Sequence, residues 1–189
     1  MNRILTYSII IGFCLLISYI SINGTNYISI NGTNQIANRS VVGTISYKAP
    51  DTWNINRSEK QFRLLEITLD TKEDFSLVVF SNIRGTADQN IQRWIGQFKK
   101  DELLEENIIV QRDSLDNRYI TLLEMYGTYE VPNMANPSQE KVIKNDYGLL
   151  GGVIEFPNSL YFIKAVGRNS AISDNSDNFR EFVYSIRLN

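Results

Sequence analysis

The side chains able to do chemistry in this chain are carboxylates, hydroxyls, lysines and arginines, because its 189 residues include no histidine and one cysteine, Cys14. Without imidazole, and without a thiol beyond residue 14, several classes of site are excluded. They are Ser-His-Asp and Cys-His nucleophiles, zinc held by Cys or His, thiol redox exchange and most transition-metal centres. No cofactor and no metal centre is expected. Among the acids, Glu124 and Glu155 fall in apolar stretches. Two such carboxyls run hydrolytic acid–base chemistry when they converge within about 5–10 Å; outward-facing strand positions explain them equally well. Asp70, Glu73 and Asp74 crowd one turn and offer oxygen ligands of the kind calcium takes, but without the alternating D-x-D-x-D-G register. A solvated turn is the expectation there.

Asn90, Arg93, Trp94 and Gln97 form a second constellation. The first three are spaced i, i+3, i+4, so a helix puts them on one side. With Trp94 turned inward, Asn90 or Arg93 on the rim would offer donors to an anionic ligand. The plainer alternative has Asn90 and Gln97 satisfying nearby backbone while Trp94 fills the core. Met134 stands in the long connection Val131–Asp146 beside Pro132, Asn133, Asn136 and Pro137, where it would be an apolar contact for a partner. Gly148, Gly151 and Gly152 lack the strand-loop-helix context of a phosphate loop and are expected to permit strand bending or close packing.

Period-2 hydrophobicity dominates the elements that must carry these residues. Val41–Tyr47 and Phe62–Asp70 read as strands, and Phe75–Phe80 reads as a central strand that is apolar on both faces. Ile108–Arg112 and Tyr119–Tyr129 flank the turn pair Asp116-Asn117; Leu149–Phe156 and Leu160–Gly167 flank Pro157-Asn158. With the polar turn Asp70–Asp74 joining Phe62–Asp70 to Phe75–Phe80, three hairpins imply a mostly antiparallel sheet. Thr86-Ala-Asp-Gln89 is a capping-box pattern, after which Ile91, Trp94, Ile95 and Phe98 make a helical stripe. Phe179, Phe182, Val183 and Ile186 make another. The order β-β-β-α-β-β-β-β-α predicts an α+β domain with a sheet of about six or seven strands and helices packed on it.

The region ahead of that domain has a different character. Arg3 is followed by an uncharged apolar run through Ile20. Residues 1–22 therefore read as a signal peptide or a membrane anchor, residues 4–22 being about long enough to span a bilayer. Cys14 invites a lipoprotein reading, but Phe13 stands where a small residue is needed and Leu15-Leu16-Ile17 continue the apolar run; a passive hydrophobic cysteine is preferred. Tyr19-Ile-Ser-Ile-Asn-Gly-Thr-Asn26 recurs unchanged as residues 27–34. Two copies make no solenoid, and residues 23–40 read as a flexible tether. Asn23, Asn31, Asn38 and Asn56 begin N-x-Ser/Thr triplets that matter only in a eukaryotic secretory route. Residues 41–189 suffice for one domain with a substantial core. The net charge of −2, with Lys and Arg scattered among acids, gives no footprint for nucleic acid.

Tyr47-Lys-Ala-Pro-Asp-Thr-Trp53 resembles the strand-Pro-x-x-Trp opening of PsbP-like domains. The helix after a hairpin, the paired hairpins and the ending Phe179-Arg-Glu-Phe-Val-Tyr-Ser-Ile186 are similar to that superfamily's layout, over roughly residues 41–188. Asn90–Phe98 followed by Gly127-Thr-Tyr129 is similar to a group of bacterial envelope proteins, often lipoproteins. The resemblance implies an α/β/α sandwich and, through relatives that include photosystem accessory subunits, periplasmic proteins and a Ran-binding factor, a binding role; it supplies no catalytic motif. The expectation is a non-enzymatic binding or accessory module, exported or tethered outside the cytoplasm and engaging an envelope protein or small ligand. A carboxylate-dependent hydrolase of the envelope is the alternative.

Overall fold

The computed structural model describes residues 39–71, 73–131 and 141–189. The leader with Cys14, the duplicated octapeptide and Met134 lie outside the described residues. Contacts divide the chain into Met1–Ser40 and a compact unit, Val41–Asn189.

Along that unit run β1 (Ser40–Val42), β2 (Ile45–Tyr47), β3 (Trp53–Arg57), β4 (Arg63–Leu69), β5 (Phe75–Ser81) and helix α1 (Ala87–Ile95). Two 3-10 turns, Lys100–Glu102 and Glu105–Asn107, lead into β6 (Ile108–Leu115), β7 (Arg118–Val131), β8 (Val142–Phe156) and β9 (Ser159–Arg168). Helices α2 (Asn169–Asp174) and α3 (Ser176–Ser185) and strand β10 (Arg187–Leu188) complete it. The larger sheet has the order β3-β4-β5-β9-β8-β7-β6, and each neighbouring pair is antiparallel. A smaller sheet has the order β1-β2-β10.

Strand alternation divides the apolar residues of the larger sheet between two cores. Leu123, Met125, Leu149, Val153 and Phe162 face α1, meeting Ile91, Trp94 and Phe98. Ile120, Leu122, Leu150, Ile154 and Ile163 face the other way, onto Ile172, Phe179, Phe182 and Val183. The architecture is therefore α+β, an α/β/α sandwich. Each fully buried side chain of this size contributes roughly 1.5–3 kcal/mol. The Trp53 of the Pro-x-x-Trp segment sits in the second core, its ring centroid 6.2 Å from that of Phe75 and 5.5 Å from that of Phe182. Its indole N–H donates to Asn175 Oδ1 at 3.0 Å, and the Asn175 amide donates to the Ala171 carbonyl at 2.9 Å. One tryptophan thereby ties the start of the sheet to the junction of α2 and α3.

Several expectations are met in detail. Thr86 and Gln89 form the reciprocal capping box, with bonds of 3.0 and 3.2 Å. Asp116 and Asn117 both take positive φ, 49° and 59°, as a two-residue type I′ hairpin requires. Others are corrected. Val41–Tyr47 is two short strands, because Gly43 at φ 58° turns the chain. β3 is an added strand, its Trp53-Asn-Ile-Asn-Arg57 alternation being short and polar outside. β5 lies between β4 and β9, fully buried on one face at Phe75, Leu77 and Val79; on the other face Ser76 is exposed and Val78 and Phe80 are half-buried. The long connection is shorter than Val131–Asp146, since β8 already begins at Val142.

Candidate functional site

Helix α1 brings the Asn90 constellation onto the sheet. Asn90 is fully buried, and its amide donates to the carbonyls of Thr86 at 2.9 Å and Arg84 at 3.4 Å. Its Oδ1 accepts from Arg93 Nη1 at 3.0 Å. Trp94 packs on Gly151, where an added Cβ would stand 2.7 Å from the ring. Asn90 and Trp94 thus have work inside the fold, while Arg93 stays exposed on the rim.

Gln97 reaches a different group of residues. Just past α1 the chain joins β7, with Lys99 N–H donating to the Thr128 carbonyl at 2.9 Å and Glu130 N–H to the Gln97 carbonyl at 2.8 Å. This places the Gln97 side chain over β9, where its Oε1 accepts from Lys164 Nζ. Lys164 pairs with Gly151 and with Val78, so it shares the α1 face of the sheet. Its ammonium also donates to Tyr129 Oη at 3.2 Å and stands 5.3 Å from that ring's centroid. Burial pushes the Lys164 amine down to about 8 and the Tyr129 phenol up. Tyr129 stacks on Tyr147, centroids 6.3 Å apart and planes 8° from parallel. Tyr147 in turn donates to Asp74 Oδ2, which Lys144 Nζ meets at 3.0 Å. The Tyr147 hydrogen bond, aided by Lys144, holds the Asp74 carboxyl below its ordinary value. Burial works against the Lys144 charge, but its bonds to Tyr147 and Asp74 outweigh that and raise its pKa. The result is a pair of stacked tyrosine rings across the sheet with a lysine at either end, closed by one carboxylate.

An apolar groove opens on the other flank of α1. Ile95, Phe98, Leu103 and Ile108 line it, Gln92 and Lys100 stand among its polar residues, and its volume is about 480 Å³. Beyond it the edge strand β6 is exposed from Ile109 to Leu115.

The two acids weighed as a catalytic pair do not meet. Glu124 pairs with Leu150 on the α2/α3 face, and its Oε1 accepts from Tyr126 Oη at 2.6 Å. Glu155 pairs with Tyr119, five residues along β7 and on the opposite face. Among the described residues no group of three or more acids or cysteines is arranged to hold a metal ion. Asp70, Glu73 and Asp74 are accounted for in part by the pairing of Asp74 with Lys144 and Tyr147. Gly148, Gly151 and Gly152 serve close packing, against Ile172 and Tyr126, Trp94, and Val183 respectively. Lys164 was the residue least visible in advance. Its one signal is a lone charge inside the apolar run Leu160-Tyr-Phe-Ile-Lys-Ala-Val166.

No protein-family model and no curated protein matches the chain. Solved structures do match. The solution structure of cyanobacterial PsbP (CyanoP) from Synechocystis sp. PCC 6803 superimposes with a TM-score of 0.51 at 12% identity, over 77% of this chain and 87% of that one. A crystal structure from Bacteroides thetaiotaomicron is similar more weakly, with a TM-score of 0.42 at 8% identity, over 77% of this chain and 45% of that one. The fold is PsbP-like.

Proposed function

We propose that this PsbP-like domain is a non-enzymatic binding or accessory module of the cell envelope, which docks a protein partner in the groove beside α1. The observation that carries the reading is the groove itself. An apolar floor of Ile95, Phe98, Leu103 and Ile108, bordered by Gln92 and Lys100, suits an apolar side chain framed by polar contacts. Arg93, exposed on the same helix, adds a donor at the rim. The uncharged run after Arg3 supports an extracytoplasmic site, periplasmic or at the cell surface, with residues 4–22 as the membrane attachment. Met134, in the connection between β7 and β8, remains a second proposed contact. The hydrolase alternative loses its proposed pair, because Glu124 and Glu155 occupy opposite faces of the sheet.

The test uses the full-length chain in its native membranes with a photo-crosslinking residue at Leu103 or, as control, at Asn54 on the distant edge strand β3. One stoichiometric protein adduct from position 103, absent from position 54 and abolished by Ile108→Asp, is the expected result. Equal labelling from both positions, or none from either, overturns the proposal. An adduct of small-molecule mass would replace the protein partner by a ligand.

A further inference from the structure

We propose that β6 is a self-association edge, on which a second copy of this chain adds its own β6 antiparallel and joins two seven-stranded sheets into one. The strand ends the sheet, runs eight residues in unbroken register with β7, and carries no proline or bulge. Ile109 is 57% exposed, Val110 41% and Leu115 38%. Sheet edges of such length are ordinarily shortened, bulged or covered, because their free N–H and C=O groups template pairing.

The hairpin fixes which groups are free. A two-residue type I′ turn at Asp116-Asn117 makes Leu115 and Arg118 a hydrogen-bonded pair. By alternation, odd-numbered residues of β6 point their backbone groups at β7, and Val110, Arg112 and Ser114 point theirs outward. A two-fold axis perpendicular to the sheet keeps each face continuous, so even residues must oppose even ones. Centring that axis on Arg112 sets Val110 against the second copy's Ser114. It thereby forms about six backbone hydrogen bonds from the three outward-pointing residues of each chain.

The same register makes the side chains self-complementary. Ile109 faces Leu115 of the second copy, apolar against apolar, and Gln111 faces its Asp113, twice over by symmetry. These are the non-hydrogen-bonded pairs, in which side chains come closest. Charge fits as well: Arg180 Nη1 donates to Gln111 Oε1 at 2.6 Å, which carries its positive charge toward the opposing Asp113. Arg112 meets its own copy at the axis, each guanidinium already ion-paired with Asp88. Neighbouring registers lose these matches; moving the axis to Gln111 sets Ile109 against Asp113.

Two measurements on the full-length chain test this, both in a Cys14→Ser background. In the first, Ile109→Cys/Leu115→Cys is oxidised mildly and analysed by non-reducing electrophoresis and peptide mapping. The expected product is a covalent dimer linked 109 to 115, while Ile109→Cys alone forms no covalent dimer because residues 109 of the two copies lie six positions apart. In the second, sedimentation compares charge variants at these exposed positions. Ile109→Glu/Leu115→Glu should weaken the dimer at least ten-fold, and Ile109→Glu/Leu115→Lys should restore it by opposing unlike charges. A monomer throughout, a linkage at other positions, or a doubly acidic variant that dimerises as well as the parent chain would each overturn the proposal.

Discussion

At the scale of single residues, Lys164 shows how a local environment turns a common side chain into a pH-responsive one. Burial lowers its amine from the usual 10.5 to about 8. Below that value folded and unfolded chains both carry the charge, and the cost of burying an ammonium is felt in full. Between about 8 and the ordinary lysine value the unfolded chain holds a proton that the folded chain has released, so stability rises with pH. At about 1.4 kcal/mol per pKa unit, the rise approaches ~3 kcal/mol. Lys164→Met should remove it: denaturant-measured stability of the parent should climb between pH 8 and 10 relative to the variant, and parallel curves would refute the assignment. Glu66 is the opposite case, its carboxyl held down at about 2 chiefly by Arg63, then by Lys60 and Ser58. What it contributes is present above its ordinary value of 4.5 and is lost as pH falls toward 2. Neither environment was legible beforehand. The Glu66 carboxyl meets Arg63 only three residues away, but the partners of Lys164, namely Gln97 and Tyr129, come from 67 and 35 positions distant.

At the scale of elements, α1 is held to the sheet by a missing side chain. Its capping box and apolar stripe were readable from Thr86 to Phe98, because both are local patterns. The surface that receives Trp94 was not, because it is made by Gly151 on a strand 57 positions away. Gly151→Ala would set a Cβ 2.7 Å from the Trp94 ring and should cost about 1–3 kcal/mol. Gly96→Ala is the matched control. Gly96 has ordinary helical φ of −66°, and its added Cβ would meet nothing closer than 3.4 Å, so its melting temperature should barely move. Equal losses in the two variants would mean that the close approach of Gly151 to Trp94 does not set the effect.

At the scale of the whole molecule, stability should be graded from the middle of the larger sheet outward. Every residue of β8 from Tyr147 to Ile154 is buried, whereas β3 is a short edge and β10 has two residues. Hydrogen exchange should therefore be slowest in β8 and β9, at rates set by global unfolding, and should occur earlier in β3 and β10. Equal protection in β3 and β8 would contradict this layering. The sequence alone determined the chemical alphabet, the α+β class and the hairpin turn at Asp116-Asn117, because side-chain types, hydrophobic periodicity and turn chemistry are expressed between near neighbours. Only the tertiary structure decided that Glu124 and Glu155 part to opposite faces, that Gln97 caps Lys164, and that β6 is left at an edge. Those outcomes depend on strand order and register, which arise when residues far apart in the chain compete for the same buried face.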